Sequence, residues 1–255
     1  MKHIQEQGNT LPDAYHAALL SLFLRGDKVP CPAYGTSCLE ASATILVRTP
    51  LGEPMISRFF PGGAADLQQY TMEMLDGILD FEVDKGNWEY TYHRRMTDYG
   101  GRDQLRFVVD ELRRDPCSRR AVVTVRRPED DMGSDDPACL QMLQYMIRDG
   151  GLDCFATFRS NDALEATFMN AYALIRLQER LAKELGVGVG TYTHHANSFH
   201  VYEKDFNRLS GLVENRLYRH PGSSDNCYRY EGDWDKEMSA AIPDILKKVE
   251  ELKNK

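Results

Sequence analysis

The sequence predicts an α+β fold, a mixed or antiparallel β-sheet flanked by helices. Three observations carry this. Helical and strand patterns follow one another without a regular βα alternation, residues 143–158 read as an antiparallel hairpin, and a chain of 255 residues with 42% hydrophobic and 27% charged side chains suffices for one buried core. A single domain over residues 1–255 is expected.

The first helix is capped by Thr10, takes Pro12 in its first turn, and lines up Leu11, Tyr15, Ala18, Leu19 and Leu22 before Gly26. A strand follows at residues 43–48, with Ala43, Ile45 and Val47 on one side. Pro50, Gly52, Pro54 and Pro61-Gly62-Gly63 mark a loop before a second helix at residues 65–79. Residues 102–113 read as a helix, residues 121–125 as a buried strand, and the acidic residues 129–136 as a loop leading to Cys139. In the hairpin Leu143, Tyr145 and Ile147 share a face, Asp149-Gly150-Gly151 turns, and Leu152, Cys154, Ala156 and Phe158 return. Residues 163–185 form the longest helical stretch, stopped by Gly186. Residues 192–202 form a strand, and residues 233–255 a terminal helix interrupted at Pro243.

A net charge of −8 disfavours a globally basic nucleic-acid binder. The apolar run at residues 17–24 is too short to span a bilayer, and residues 1–6 lack the apolar core of a signal peptide. A cytoplasmic protein with no nucleic-acid or membrane partner is expected. The six cysteines, at 31, 38, 117, 139, 154 and 227, show no CxxC spacing, so neither a zinc ribbon nor a disulfide scaffold is expected. His194, His195 and His200 lack the close carboxylate or second ligand of a metal site, and no metal is expected. Gly186-Val187-Gly188-Val189-Gly190 follows its helix rather than preceding it, which excludes a phosphate loop.

Several polar residues carry possible chemistry. A cysteine is ordinarily a small buried apolar group, and as a nucleophile it needs a nearby cation. Arg159 can supply one to Cys139, because a hairpin turning at Asp149-Gly150 returns position 159 beside the cysteine. The other five cysteines read as packing. Arg119-Arg120 is ordinarily a solvated pair, yet two guanidinium forks suit a phosphate dianion. Asn170 sits within an apolar helix, where its amide needs partners, a bond to backbone being the ordinary one. His200 and Tyr202 are two apart on a strand and so share a face.

Ser118-Arg119-Arg120, Cys139, Arg159-Ser160-Asn161-Asp162, Asn170 and His200-Val201-Tyr202 resemble, at matching spacings, the signature of the thymidylate synthase and pyrimidine nucleotide hydroxymethylase family. The upstream stretch with Tyr90-Thr91-Tyr92 looks closest to its short archaeal-type members. The resemblance implies a thymidylate synthase-like fold with a sheet face forming the interface of a homodimer that shares its active sites. It implies folate-dependent one-carbon transfer to C5 of a pyrimidine nucleoside monophosphate, with 5,10-methylenetetrahydrofolate as cosubstrate. By the same resemblance Cys139 adds to C6, Arg159 holds it ionised, and Asn170 reads the uracil edge and stabilises charge at O4. Arg119 and Arg120 reach the phosphate in the neighbouring subunit, Arg159 and Ser160 hold it from their own, and His200 and Tyr202 take the sugar 3′-hydroxyl. Asp162 contacts the pterin, Tyr92 helps order water, and Glu73 steers proton transfer.

Asn170 makes methylation of dUMP the first expectation. The chain departs from the family pattern at Ala138 (usually proline), Leu140 (usually histidine), Arg126 (often tryptophan) and its polar last residues 250–255. These bear on exclusion of water, so hydroxymethylation of dUMP, dCMP or CMP is the alternative. A nucleotide- or RNA-binding relative without catalysis and a cysteine hydrolase rank below both.

Overall fold

The structure, a computed structural model, describes residues 1–214, 228–230 and 232–254. The expected first helix is α1 (Leu11–Arg25), preceded by strand β1 (His3–Gly8). Thr10 and Asp13 cap it reciprocally, Asp13 N donating to Thr10 Oγ1 at 3.4 Å and Thr10 N to Asp13 Oδ2 at 3.1 Å. All five expected apolar residues of α1 are buried. A hairpin of β2 (Asp27–Cys31) and β3 (Thr36–Val47) follows, so the strand expected at residues 43–48 begins seven residues earlier. The first half of β3 carries Ser37, Cys38 and Glu40 among its apolar residues, which hid it from the hydrophobic pattern.

Helix α2 (Ala64–Asp76) stops at Gly77, whose φ of 62° is left-handed. Short helices α3 (Phe81–Asp84) and α4 (Tyr92–Thr97) lead to α5 (Gln104–Arg114), capped by Asp103, and to β4 (Val122–Thr124). The acidic stretch is not all loop: Pro128–Asp131 forms one helical turn, α6, whose Asp131 is buried against Arg95 at 3.1 Å. The hairpin is β5 (Leu140–Arg148) and β6 (Gly151–Phe158), turning at Asp149 and Gly150, both at positive φ. Then come β7 (Asn161–Asp162), α7 (Thr167–Leu185), β8 (Gly188–Tyr202), α8 (Phe206–Leu212) and α9 (Trp234–Lys253). Helix α9 runs through Pro243 without a break, a correction to the interruption expected there. Pro243 and Ser239, whose carbonyl loses its helical partner, are both exposed, which leaves the group open to solvent rather than buried unpaired.

Among the described residues the strands make one eight-stranded sheet in the order β1-β3-β8-β6-β5-β4, with β2 on β3 and β7 on β8. It is mixed: β1/β3, β6/β8 and β7/β8 are parallel, the other pairs antiparallel. One set of alternating residues (Ala43, Ile45, Leu143, Tyr145, Cys154, Ala156, Tyr192) packs into the main core, whereas Leu46, Met142, Met146 and Phe155 on the opposite parity are half-buried. The β8 bulge at Asn197 and Ser198 changes the parity, so that Phe199 and Val201 take the core while His200 and Tyr202 keep a common side. The start of β5, the end of β6, all of β7 and the end of β8 meet at one end of the sheet.

Candidate active site

Cys139 is half-buried at that end of the sheet, one residue before β5. The Arg159 N–H donates to the Cys139 carbonyl at 2.9 Å, closing the hairpin. The Arg159 guanidinium donates to the Ala138 carbonyl through Nε at 3.1 Å and to the Pro137 carbonyl through Nη2 at 2.6 Å. Burial raises the thiol pKa, the Arg159 cation beside it opposes that, and Asp136 adds to it; the net direction is upward. Three phenols lie within electrostatic reach of the sulfur. Tyr70, Tyr90 and Tyr92 all titrate above their ordinary range, chiefly through burial, Tyr90 at about 12, and each also feels Cys139. The Tyr92 hydroxyl accepts the Leu140 N–H at 3.3 Å, so the backbone just after the cysteine is tied to α4.

Beside this cluster lies a cavity of about 470 Å³ lined by Tyr70, Glu73, Trp88, Tyr90, Tyr92 and Asp136, among others, a size suited to a small-molecule ligand. Glu73, on α2, accepts from Gln69 Nε2 at 2.9 Å, and burial raises its pKa, the direction wanted of a group that carries a proton near neutrality. Asn170, one turn into α7 and 4% exposed, has no backbone partner for its side chain among the described residues. Its Oδ1 accepts the hydroxyl of Tyr70. Tyr70 escaped the sequence reading; the available signal was its place three residues before Glu73, on the same side of α2.

The His200 and Tyr202 rings lie 4.8 Å apart at 76°, and Tyr34 packs on Tyr202 at 5.5 Å. Burial, then Tyr34, pushes Tyr202 up to about 12. Asp162 pairs with His200 between β7 and β8, and its Oδ1 accepts the N–H groups of Leu164 and Glu165, each at 2.9 Å. Ser160 is half-buried between Arg159 and β7.

Arg119 and Arg120 are not near Cys139 in the same chain. The Arg119 carbonyl accepts from Gln144 Nε2 at 2.9 Å; Gln144 is five residues along β5 from Cys139, roughly 16 Å at the strand rise. Both arginines are exposed. Arg120 Nε donates to Glu111 Oε1 at 2.9 Å, and Ser118 Oγ donates to the same oxygen at 2.6 Å. The Ser118 bond, then Arg120, pulls the Glu111 carboxyl below its usual range.

Among the described residues no three His, Cys, Asp or Glu side chains cluster as metal ligands. His194 is a core residue: its Nε2 meets Asn161 Oδ1 at 2.9 Å, its ring stacks on Phe158 at 4.6 Å, and burial pushes it down to about 3. In the glycine run Gly186 is the left-handed cap of α7 and Gly190 serves packing, since a Cβ there would lie 2.4 Å from Asp153 Oδ1. Of the cysteines expected as packing, Cys38 and Cys154 are buried, but Cys117 is exposed and Cys31 half-buried, 3.1 Å from the Cys38 sulfur. Cys227 lies outside the described residues. No described helix is long and apolar enough to cross a membrane.

Residues 62–226 match the family model described as thymidylate synthase. A protein of Methanocaldococcus jannaschii named "Putative thymidylate synthase" is 39% identical over 162 residues, 59% of this chain and 69% of that protein. One of the same name from Methanothermobacter marburgensis is 32% identical over 177 residues, 69% of this chain and 74% of that protein. The solved thermostable thymidylate synthase A from Bacillus subtilis shares the fold, with a TM-score of 0.64 at 15% identity over 80% of this chain and 84% of that one.

Proposed function

Since the chain belongs to the thymidylate synthase family, and so to transferases that add a one-carbon unit to C5 of a pyrimidine nucleotide with folate, we propose that it methylates dUMP through a covalent adduct on Cys139. The observation that carries the proposal is the convergence of Cys139, Arg159, Asn170 and Glu73 on one end of the sheet, beside a ligand-sized cavity.

Pyrimidine C5 is a poor nucleophile until a thiolate adds at C6. The Cys139 sulfur forms the S–C6 bond, and the displaced π electrons move through C5 towards O4. The Asn170 amide N–H meets the charge growing at O4, as a preorganised dipole does at an oxyanion. C5 then bonds to the one-carbon unit and loses its proton, and the bond from that carbon to the folate nitrogen breaks. A hydride from the folate, oxidised to dihydrofolate, adds to the carbon, and the sulfur leaves C6 as the ring double bond reforms. Glu73, raised by burial, and Tyr92, at the edge of the cavity, are the groups placed to move that proton and order its water. 5,10-Methylenetetrahydrofolate supplies the carbon and, for a methyl product, the hydride. The apolar and aromatic wall at Met74, Trp88 and Tyr90 fits its flat pterin ring, and Asp162 is assigned to it at the β7 end.

His200 and Tyr202 share one side and suit a sugar hydroxyl, and Arg159 with Ser160 suits the phosphate. Arg119 and Arg120, exposed and far from their own Cys139, are assigned to the phosphate in a second subunit. The half-buried sheet residues Leu46, Met142, Met146 and Phe155 are the surface on which that homodimer forms.

The test is the mass of the nucleotide after incubation of dUMP with the protein and methylenetetrahydrofolate. A gain of about 14 Da supports the proposal, whereas about 30 Da identifies the hydroxymethyl alternative. Unchanged dUMP overturns the proposal; dCMP and CMP incubated in the same way test the rest of the alternative, and all three unchanged overturns both.

A further inference from the structure

We infer that Tyr70 is a specificity-determining residue, whose hydroxyl holds the Asn170 amide in the one orientation that accepts uracil and refuses cytosine. The inference rests on the proposed reading of Asn170 and deepens it. An asparagine amide is nearly symmetric in shape and antisymmetric in hydrogen bonding. With Oδ1 towards N3 and Nδ2 towards the 4-substituent it matches uracil, which offers N3–H and O4. Turned over, it matches cytosine, which offers a bare N3 and an amino group. Asn170 alone therefore cannot separate the two bases; something must fix its orientation.

The structure provides one such group. Tyr70 donates its O–H to Asn170 Oδ1, and Asn170 Nδ2 has no partner among the described residues. That leaves one oxygen lone pair and both amide hydrogens for a ligand. The phenol is a dependable donor, since burial, then the Glu73 carboxylate, then Tyr90 and Cys139 all oppose its ionisation. Turning the amide over would bring its N–H groups against the phenol, whose oxygen is a weak acceptor because its lone pair is delocalised into the ring. The phenolic proton would also lose its acceptor in a buried place, which is costly. Tyr70 lines the cavity from α2 and Asn170 comes from α7, so the contact also ties the two helices together beside the cavity. A site that hydrogen-bonds a base edge discriminates more strongly than one that merely fits it.

The experiment is equilibrium binding of dUMP and dCMP to the whole protein without folate, for wild type, Tyr70→Phe and Asn170→Asp. Thermal melts confirm that each is folded; Tyr70→Phe keeps the ring and its packing. The expected result is a dUMP-to-dCMP affinity ratio lowered about tenfold in Tyr70→Phe, with dCMP binding improved, and a preference reversed towards dCMP in Asn170→Asp. Equal weakening of both nucleotides in Tyr70→Phe, with Asn170→Asp still reversed, overturns the role of Tyr70 alone. An unchanged preference in Asn170→Asp overturns the reading of Asn170 and the inference with it.

Discussion

Arg159 is bonded to Cys139 and to the two residues before it: its N–H meets the Cys139 carbonyl at 2.9 Å, and its guanidinium spans the Ala138 and Pro137 carbonyls at 3.1 and 2.6 Å. The same side chain thus shapes the backbone that presents the sulfur and places a permanent cation beside it. Lysine cannot reproduce this planar fork. Arg159→Lys is expected to keep the charge and lose most of the turnover, an effect read in kcat; unimpaired kcat would refute the positioning role.

Cys139→Ser replaces the nucleophile with a hydroxyl that is essentially un-ionised at neutral pH. The variant is expected to bind dUMP with an affinity close to that of wild type and to lose turnover by several orders of magnitude. Equilibrium binding and product mass on one preparation check both halves; preserved turnover would remove the covalent adduct.

The Cys139 thiol is held up by burial and Asp136 and drawn down by Arg159. Alkylation of the nucleotide-free protein by iodoacetamide is therefore expected to rise with pH along a curve displaced above the ordinary cysteine midpoint of roughly 8.5. Asp136→Asn removes a raising influence and shifts the curve to lower pH. Mass spectrometry of the peptide containing residue 139 follows the reaction, and a curve that moves upward in Asp136→Asn contradicts the electrostatic assignment.

Much of this site was legible in the sequence because its residues sit at strand and helix ends whose spacing the hairpin and the 3.6-residue repeat fix. Asp149-Gly150 sets the hairpin register as far as Met142 and Thr157, and a bulge at Gln141, which the sequence did not signal, shifts it by one so that Arg159 lies opposite Cys139. His200 and Tyr202 share a side by strand alternation, yet which side depends on a bulge at Asn197 and Ser198 that has no sequence signature. Strands β1 and β2 were missed because His3-Ile4-Gln5-Glu6-Gln7 and Asp27-Lys28-Val29-Pro30 are polar edge segments defined by pairing with β3. Tyr70 was invisible for a different reason: its partner Asn170 is 100 residues away, and a long-range side-chain bond leaves no periodic trace.

His16 and His194 are buried, and burial pushes each from 6.5 down to about 3. Between those values the unfolded chain carries a proton on each that the folded chain refuses, so stability falls as pH falls from about 6.5 towards 3. Each histidine adds up to about 1.4 kcal/mol per pH unit within that window. Urea denaturation from pH 7 to pH 4 is expected to show the decline, and His16→Phe to show a shallower one. An equal slope in that variant would show that His16 takes no part.

Arg120 and Cys139 belong to different sites of one dimer if the arginine pair serves the neighbouring subunit, since roughly 16 Å of β5 separates them within a chain. Cys139→Ser and Arg120→Ala homodimers are each damaged in both sites. A mixed dimer has one site with both defects and one with neither. Random exchange makes about half of all dimers mixed, each with one intact site, so the mixture is expected to recover about a quarter of wild-type activity. Arg120 also bonds Glu111 in its own chain, so loss of activity in Arg120→Ala alone has two explanations, folding and phosphate binding. Recovery on mixing has one, because a subunit misfolded by Arg120→Ala would contribute no working Cys139. Arg119→Ala, which leaves the Glu111 contact in place, repeats the test, and mixtures that stay inactive with both variants would rule out shared sites.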